Sequence, residues 1–307
     1  MFTLDGHSIG DAWYYEADNA IHAYFLTKPS GSEAGWDIGH AITDDLVNWE
    51  YLGLAMTRGK MGSWDDKSLA TGSVIHRDGR YWMAYTGHKT ADPFFVQRVG
   101  VAASDDLTRW ERLPENPSSE ADQAHYEIVS TGQRKLTHWR DPFLLDTGTY
   151  VVQYVCARLT YGDISERGTI GLARSTNMST WETLPPPDHD TITEEMEVPQ
   201  VYRIGRWYYL VFCTLERWLS PSYRSRFPGH AFRDTDYSMV GDSPLGPFRL
   251  HNTGEIMPQV PSPPIYASQL VRHDDQWFLL GTVAGRSAIS DPIPVVANET
   301  GIHAVTH

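Results

Sequence analysis

The chain has 307 residues, 41% of them hydrophobic and 21% charged, a balance that excludes disorder and supports a large core. Its 25 Lys and Arg against 39 Asp and Glu give a net charge of −14, which leaves no positive face for nucleic acid and none for an anionic membrane surface. The 11 Trp, 16 Tyr, 25 Gly and 19 Pro favour short strands joined by turns over long helices.

Met1–Gly6 lacks the basic and apolar regions of a signal peptide, and no apolar run is long enough to span a bilayer. The expectation is a cytoplasmic protein. The first predicted unit opens with GDAWYY (10–15), returns as IHAYFLT (21–27) and continues into GHAITDDLVNWE (39–50). The second runs TGSVIHR (71–77), RYWMAYTG (80–87) and GVAASDDLTRWE (100–111). The third runs RDPFLL (140–145), TYVVQYVCA (149–157) and GLARSTNMSTWE (171–182). The fourth runs EVPQVYR (197–203), RWYYLVFCT (206–214) and a degenerate YSMVGDSPLGPF (237–248). The fifth runs YASQLVR (266–272) and QWFLLGTVA (276–284), with Ile302-His303-Ala304-Val305-Thr306 as a ring-closing strand.

Each unit reads strand, turn, strand, loop, strand, turn, strand, and five units of about 60 residues account for the chain. Four-stranded repeats of this period are propeller blades, closed radially so that few edges stay exposed. The predicted fold is therefore all-β: a single five-bladed β-propeller over residues 1–307, with four antiparallel strands per blade and the first strand of each lining the axis. The recurring Asp-Leu-x-x-Trp segment is read as structural. Its Trp packs between blades and its Asp caps a turn, because copies on separate blades cannot all serve one site.

The axial strands differ in chemistry. Asp11 enters from blade one, Asp141 from blade three and Glu197 from blade four. Gathering like charges in one funnel is costly unless they share protons or bind a cation, which argues for function. Glycosidic cleavage needs two carboxyls across a sugar, one protonated to donate to the leaving oxygen and one ionised to attack or to activate water.

The motifs carrying these acids resemble those of the five-bladed propeller glycosidases, the glycoside hydrolase clan of families 32 and 68 with the related family 43. Arg140-Asp141-Pro142 resembles the Arg-Asp-Pro motif, and Glu197-Val198-Pro199 resembles Glu-Cys-Pro with Val198 in the Cys place. Gly35–Ala41 resembles the Trp-Gly-His-Ala segment, Leu69–Ser73 the Phe-Ser-Gly-Ser strand, and Tyr266–Gln269 the Phe-Tyr-Ala-Ser strand. The resemblance implies a fructofuranoside (sucrose- or fructan-type) glycosidase working by retaining double displacement, with fructosyl transfer open to the same intermediate. It makes Asp11 the nucleophile, Glu197 the acid/base and Asp141 the transition-state stabiliser. It lines the sugar pocket with Trp36, Trp64, Asp66, Ser73, Arg140 and Tyr266.

Two features depart from the family. Its nucleophile motif is Asn-Asp-Pro-Asn-Gly, whereas this chain reads Gly10-Asp11-Ala12-Trp13-Tyr14. Family 32 also usually carries a C-terminal β-sandwich, and none is expected within these residues. Two rival readings fit the same motifs: an inverting arabinofuranosidase or xylosidase, and a sugar-binding propeller without turnover. Recruitment of the acids to a cyclisation or elimination is a weaker third.

Outside the acids, the insert 216–233 holds Arg217, Arg224, Arg226 and Arg233. Such a cluster suits a substrate phosphate or carboxylate, or else pairs with Glu216, Asp234 and Asp236. The 13 His residues show no zinc spacing. No cofactor is implied; a structural calcium, held on the axis by some family 43 relatives, has no identifiable ligand here. Cys156 and Cys213 lie in apolar runs and read as buried thiols. No Gly-x-Ser-x-Gly elbow supports a serine hydrolase. The expected partner is a small carbohydrate.

Overall fold

The computed structural model describes residues 1–130, 135–257, 263–283, 285 and 287–305. Five four-stranded antiparallel sheets follow one another along the chain. Their first strands are His7–Ala17, Ser68–Arg77, Arg140–Asp146, Glu197–Ile204 and Ile265–His273. Each pairs with the strand that follows it, and these first strands pack on one another in cyclic order, blade five returning to blade one. The predicted strands therefore fall in the predicted places of a five-bladed propeller. The third and fourth strands of blade five, Ile293–Asn298 and Gly301–Ala304, carry no repeat motif.

The C-terminal segment needs a correction. Gly301–Ala304 is the outer strand of blade five and pairs only with Ile293–Asn298, so it does not close the ring. Closure comes from packing of the first strands and from Phe2, whose N–H and C=O both bond Ile289 at 3.0 Å. Ala284 and Thr306, the last residues of two predicted strands, lie outside the described residues.

The core is divided among the seams. Five hydrophobic clusters each join neighbouring blades: Trp13 and Tyr24 meet Leu69 and Met83, and Phe25 and Leu46 meet Val271 and Leu280. The Asp-Leu-x-x-Trp turns serve these seams. Asp45, Asp106 and Asn177 each accept two backbone N–H groups of the turn through one oxygen. Leu46, Leu107 and Met178 adopt φ of 63°, 62° and 65° and are buried. The left-handed conformation costs about 1–3 kcal/mol, and burying the side chain returns about 1.5–3 kcal/mol. Trp110 then meets Tyr24 of the preceding blade edge to face at 5.7 Å.

Tyr24 Oη donates to the Leu107 carbonyl of the next blade at 2.6 Å, as Tyr154 does to Pro244 and Tyr209 to Asn298. Tyr24→Phe strands a carbonyl in the seam, so we expect a loss of about 1 kcal/mol in urea unfolding.

Candidate active site

All five axial strands break register near their starts, between Ile9 and Ala12, Ala70 and Gly72, Arg140 and Phe143, Glu197 and Gln200, and Tyr266 and Gln269. A bulge bends the strand and re-aims its side chains. Asp141, Val198 and Ala267 sit there with φ of 57°, 48° and 54°, a left-handed conformation held against strain at each. Pro142 and Pro199 follow at unpaired positions, where no N–H is needed. Asp11 and Asp141 lie within their bulges, whereas Glu197 is the last paired residue before its own. The three acids are thus not at identical positions on their blades, as the repeat alone suggests.

They nevertheless converge. Thr71 Oγ1 donates to Asp11 Oδ2 at 2.8 Å, and Val198 N–H donates to Asp141 Oδ2 at 3.2 Å. Arg140 is the hub. Its Nη2 bonds Glu195 Oε2 and Glu197 Oε1, each at 2.7 Å, and its Nε lies 3.3 Å from Asp141 Oδ2. Its Nη1 meets Gln97 Oε1 at 3.1 Å and His138 Nδ1 at 2.9 Å. Tyr266 Oη donates to Glu197 Oε2 at 2.7 Å. Arg140, Asp141 and Glu195 are buried, and Glu197 keeps 14% side-chain exposure.

Electrostatics follow from one guanidinium facing several carboxyls. Burial raises the Asp11 carboxyl above its usual range, and Glu197 adds repulsion; Thr71 and Arg140 work the other way. Burial likewise lifts Asp141 to about 7, against Arg140 and with repulsion from Asp11 and Glu197. A carboxyl raised on folding binds its proton more tightly in the folded chain, so its contribution is present at low pH and lost as pH rises through 7. We expect the thermal midpoint to fall between pH 5 and pH 8, and Asp141→Asn to flatten that slope; an unchanged slope would contradict the assignment.

Among the described residues, His138, Cys156 and Glu195 bring potential ligand atoms within 4.8 Å of one another. Arg140 already contacts both His138 and Glu195. Its fixed charge opposes a cation there, so this donor set does not suit calcium or zinc.

The predicted sugar-lining residues divide. Arg140 and Tyr266 join the acids. Trp36 bonds Ser68 and Leu69 through its backbone, at the start of the strand that carries Thr71. Trp64 is placed elsewhere: its indole lies over Gly87 and Gly100, where a Cβ would come within 2.3 Å, and beside Tyr85 at 5.5 Å. It borders a groove of about 460 Å³ with Arg112 and Asn116, separate from the acids. Asp66 accepts the Gly62 and Thr90 N–H groups and fixes a turn. Ser73 Oγ is buried and accepts Leu144 N–H at 2.9 Å, tying blade two to blade three. Ser73, Trp64 and Asp66 are thus seam and turn residues in this geometry.

Thr71, Glu195, His138, Gln97 and Asp236 were missed. Thr71 lies inside the Leu69–Ser73 segment, so its position is readable, and Glu195 stands two residues before the Glu197-Val198-Pro199 motif; Gln97 lies between the strands Phe95–Val96 and Arg98–Ser104, Asp236 lies on the third strand of blade four, and neither belongs to a site motif. Trp13 stands where the family motif has a polar residue, and it is fully buried against Tyr24. In the blade-four insert, Arg224 pairs with Glu216, Arg233 bonds the Met257 carbonyl, and exposed Arg226 lies over Tyr223 and Phe227. Cys156 and Cys213 are free and buried. Among the described residues no helix is long and apolar enough to cross a membrane.

A five-bladed propeller with carboxyls converging from three axial strands defines the propeller class of glycoside hydrolases. Residues 12–255 match the model of the glycosyl hydrolases family 32 N-terminal domain, and the chain belongs to that family. It is 25% identical over 234 residues to sucrose-6-phosphate hydrolase of Escherichia coli, covering 71% of this chain and 43% of that protein. It is 36% identical over 104 residues to acid beta-fructofuranosidase of Vicia faba, covering 31% of this chain and 15% of that protein. The chain thus spans less than half the length of these curated relatives. Inulosucrase from Halalkalicoccus jeotgali, solved bound to kestose, shares the fold with a TM-score of 0.76 at 19% identity, over 98% of this chain and 87% of that one.

Proposed function

We propose that the chain cleaves a fructofuranoside by a retaining double displacement. The observation that carries this reading is the convergence of Asp11, Asp141 and Glu197 around Arg140 and Tyr266. Asp11 attacks the anomeric carbon through the oxygen not held by Thr71. Glu197 gives its proton to the leaving oxygen as the glycosidic bond breaks, leaving a fructosyl ester on Asp11. Glu197 then takes a proton from water, which displaces Asp11 and restores both groups; a sugar hydroxyl in place of water gives transfer. Asp141 accepts hydrogen bonds from sugar hydroxyls. The surplus of carboxyls over the single guanidinium favours the positive charge that develops on the sugar.

The names of the relatives, sucrose-6-phosphate hydrolase and beta-fructofuranosidase, support a sucrose-type substrate. The name of the first of these relatives puts a phosphorylated disaccharide among the substrates to compare. Acid quenching during turnover of sucrose, sucrose 6-phosphate, short fructans and aryl pentofuranosides, followed by peptide mass mapping, tests the mechanism. The expected result is one hexosyl adduct on the peptide holding Asp11. An adduct on a different acid, or cleavage of aryl pentofuranosides alone, overturns the reading.

A further inference from the structure

Asp236 is a buried carboxyl that none of these steps uses. It sits on the third strand of blade four, Thr235–Gly241, opposite Cys213. Both its oxygens reach across the seam to blade five. Oδ1 accepts the Ser268 N–H at 3.1 Å and Oδ2 accepts the Ser268 hydroxyl at 2.7 Å. Ser268 lies in the bulge of the blade-five axial strand, two residues after Tyr266 and next to the left-handed Ala267. Gln200 Nε2 ties the same bulge from its other side, donating to the Ser268 carbonyl at 2.8 Å and to the Val198 carbonyl at 3.0 Å. The bulges that carry Tyr266 and follow Glu197 are thereby locked together.

The geometry points to Asp236 as a positioning residue for the cleavage proposed above. It clamps the blade-five bulge so that the Tyr266 hydroxyl stays on Glu197 Oε2. This inference rests on the fructoside-cleaving reading for its kinetic consequence, and on geometry alone for its structural one. Burial lifts the Asp236 carboxyl to about 6; the Ser268 bonds oppose that shift, and Asp11 adds repulsion. Its side-chain partner is Ser268 from blade five, and Cys213 stands opposite it in its own sheet. Burial pushes the Cys213 thiol up, so it stays neutral there.

The test compares Asp236→Asn and Asp236→Ala with wild type. Three quantities are read: kcat and KM on sucrose, kcat and KM on an aryl fructoside, and hydrogen exchange of the Ser268 amide. Displacing a positioned group costs about 10- to 100-fold in rate. We expect a loss of that size in kcat for Asp236→Ala with little change in KM, and partial recovery in Asp236→Asn. Because the clamp acts through Tyr266 on Glu197, the deficit should be larger on sucrose than on the aryl fructoside, whose leaving group needs little protonation, and the Ser268 amide should exchange faster in Asp236→Ala. Wild-type kcat in Asp236→Ala overturns the inference. So does a loss explained wholly by unfolding, with wild-type kcat in the folded fraction. If wild type cleaves no fructoside, the proposed reaction fails, and exchange of the Ser268 amide still decides whether Asp236 clamps the bulge.

Discussion

Glu197→Gln is expected to lower kcat on sucrose by about 10³-fold, within the range that general acid–base catalysis supplies. The glutamine keeps the shape and can still meet Arg140 and Tyr266, which hold Glu197 at 2.7 Å each. What it loses is the proton for the leaving oxygen. An aryl fructoside, whose leaving group needs little protonation, should therefore recover most of the first step. Asp11→Asn removes the attacking oxygen itself, so we expect a loss of about 10⁴-fold or more that no leaving group repairs. Steady-state rates on sucrose and on an aryl fructoside separate the two roles. Equal deficits on both substrates for Glu197→Gln would remove it as the acid.

Arg140→Met should be the most damaging substitution for stability. Arg140 is 5% exposed and is the shared partner of Glu195, Glu197 and Asp141. Breaking a buried pair by removing one partner costs about 3–5 kcal/mol, because the remaining charge is left uncompensated. Here Asp141 is among the carboxyls left, and its share of the penalty exists only while it is ionised. The loss in urea unfolding should thus be full at pH 8, above the raised Asp141 carboxyl at about 7, and should shrink toward pH 5 as Asp141 regains its proton. A deficit that does not vary with pH would mean that packing, rather than charge, dominates.

The architecture was readable because its signal is repetition. Aromatic and β-branched runs such as RYWMAYTG and RWYYLVFCT recur before each Asp-Leu-x-x-Trp turn, and each became a second strand. Blade five broke the pattern: Ile293–Asn298 and Gly301–Ala304 lack the capping Asp and the seam Trp, so only their pairing reveals them. The acids were legible because their motifs begin the axial strands. Their surroundings were not. Register breaks at Asp11, Asp141 and Ala267 are visible only in the pairing of each axial strand with the strand that follows it. The difference between a hydroxyl that holds a site acid and a hydroxyl that ties a seam is set by contacts distant in sequence. Ser73 and Thr71 are two residues apart, yet one binds Leu144 of the next blade and the other binds Asp11. Asp236 shows the same limit, since only folding brings it onto Ser268.

Time-resolved proton NMR of the purified chain with sucrose, beside Glu197→Gln, tests the central claim most directly. Retaining cleavage by Asp11 and Glu197 predicts β-fructofuranose as the first-formed anomer, together with glucose or a fructosylated product, and near silence from the variant. Fructose released first as the other anomer, or turnover that survives in the variant, would contradict it.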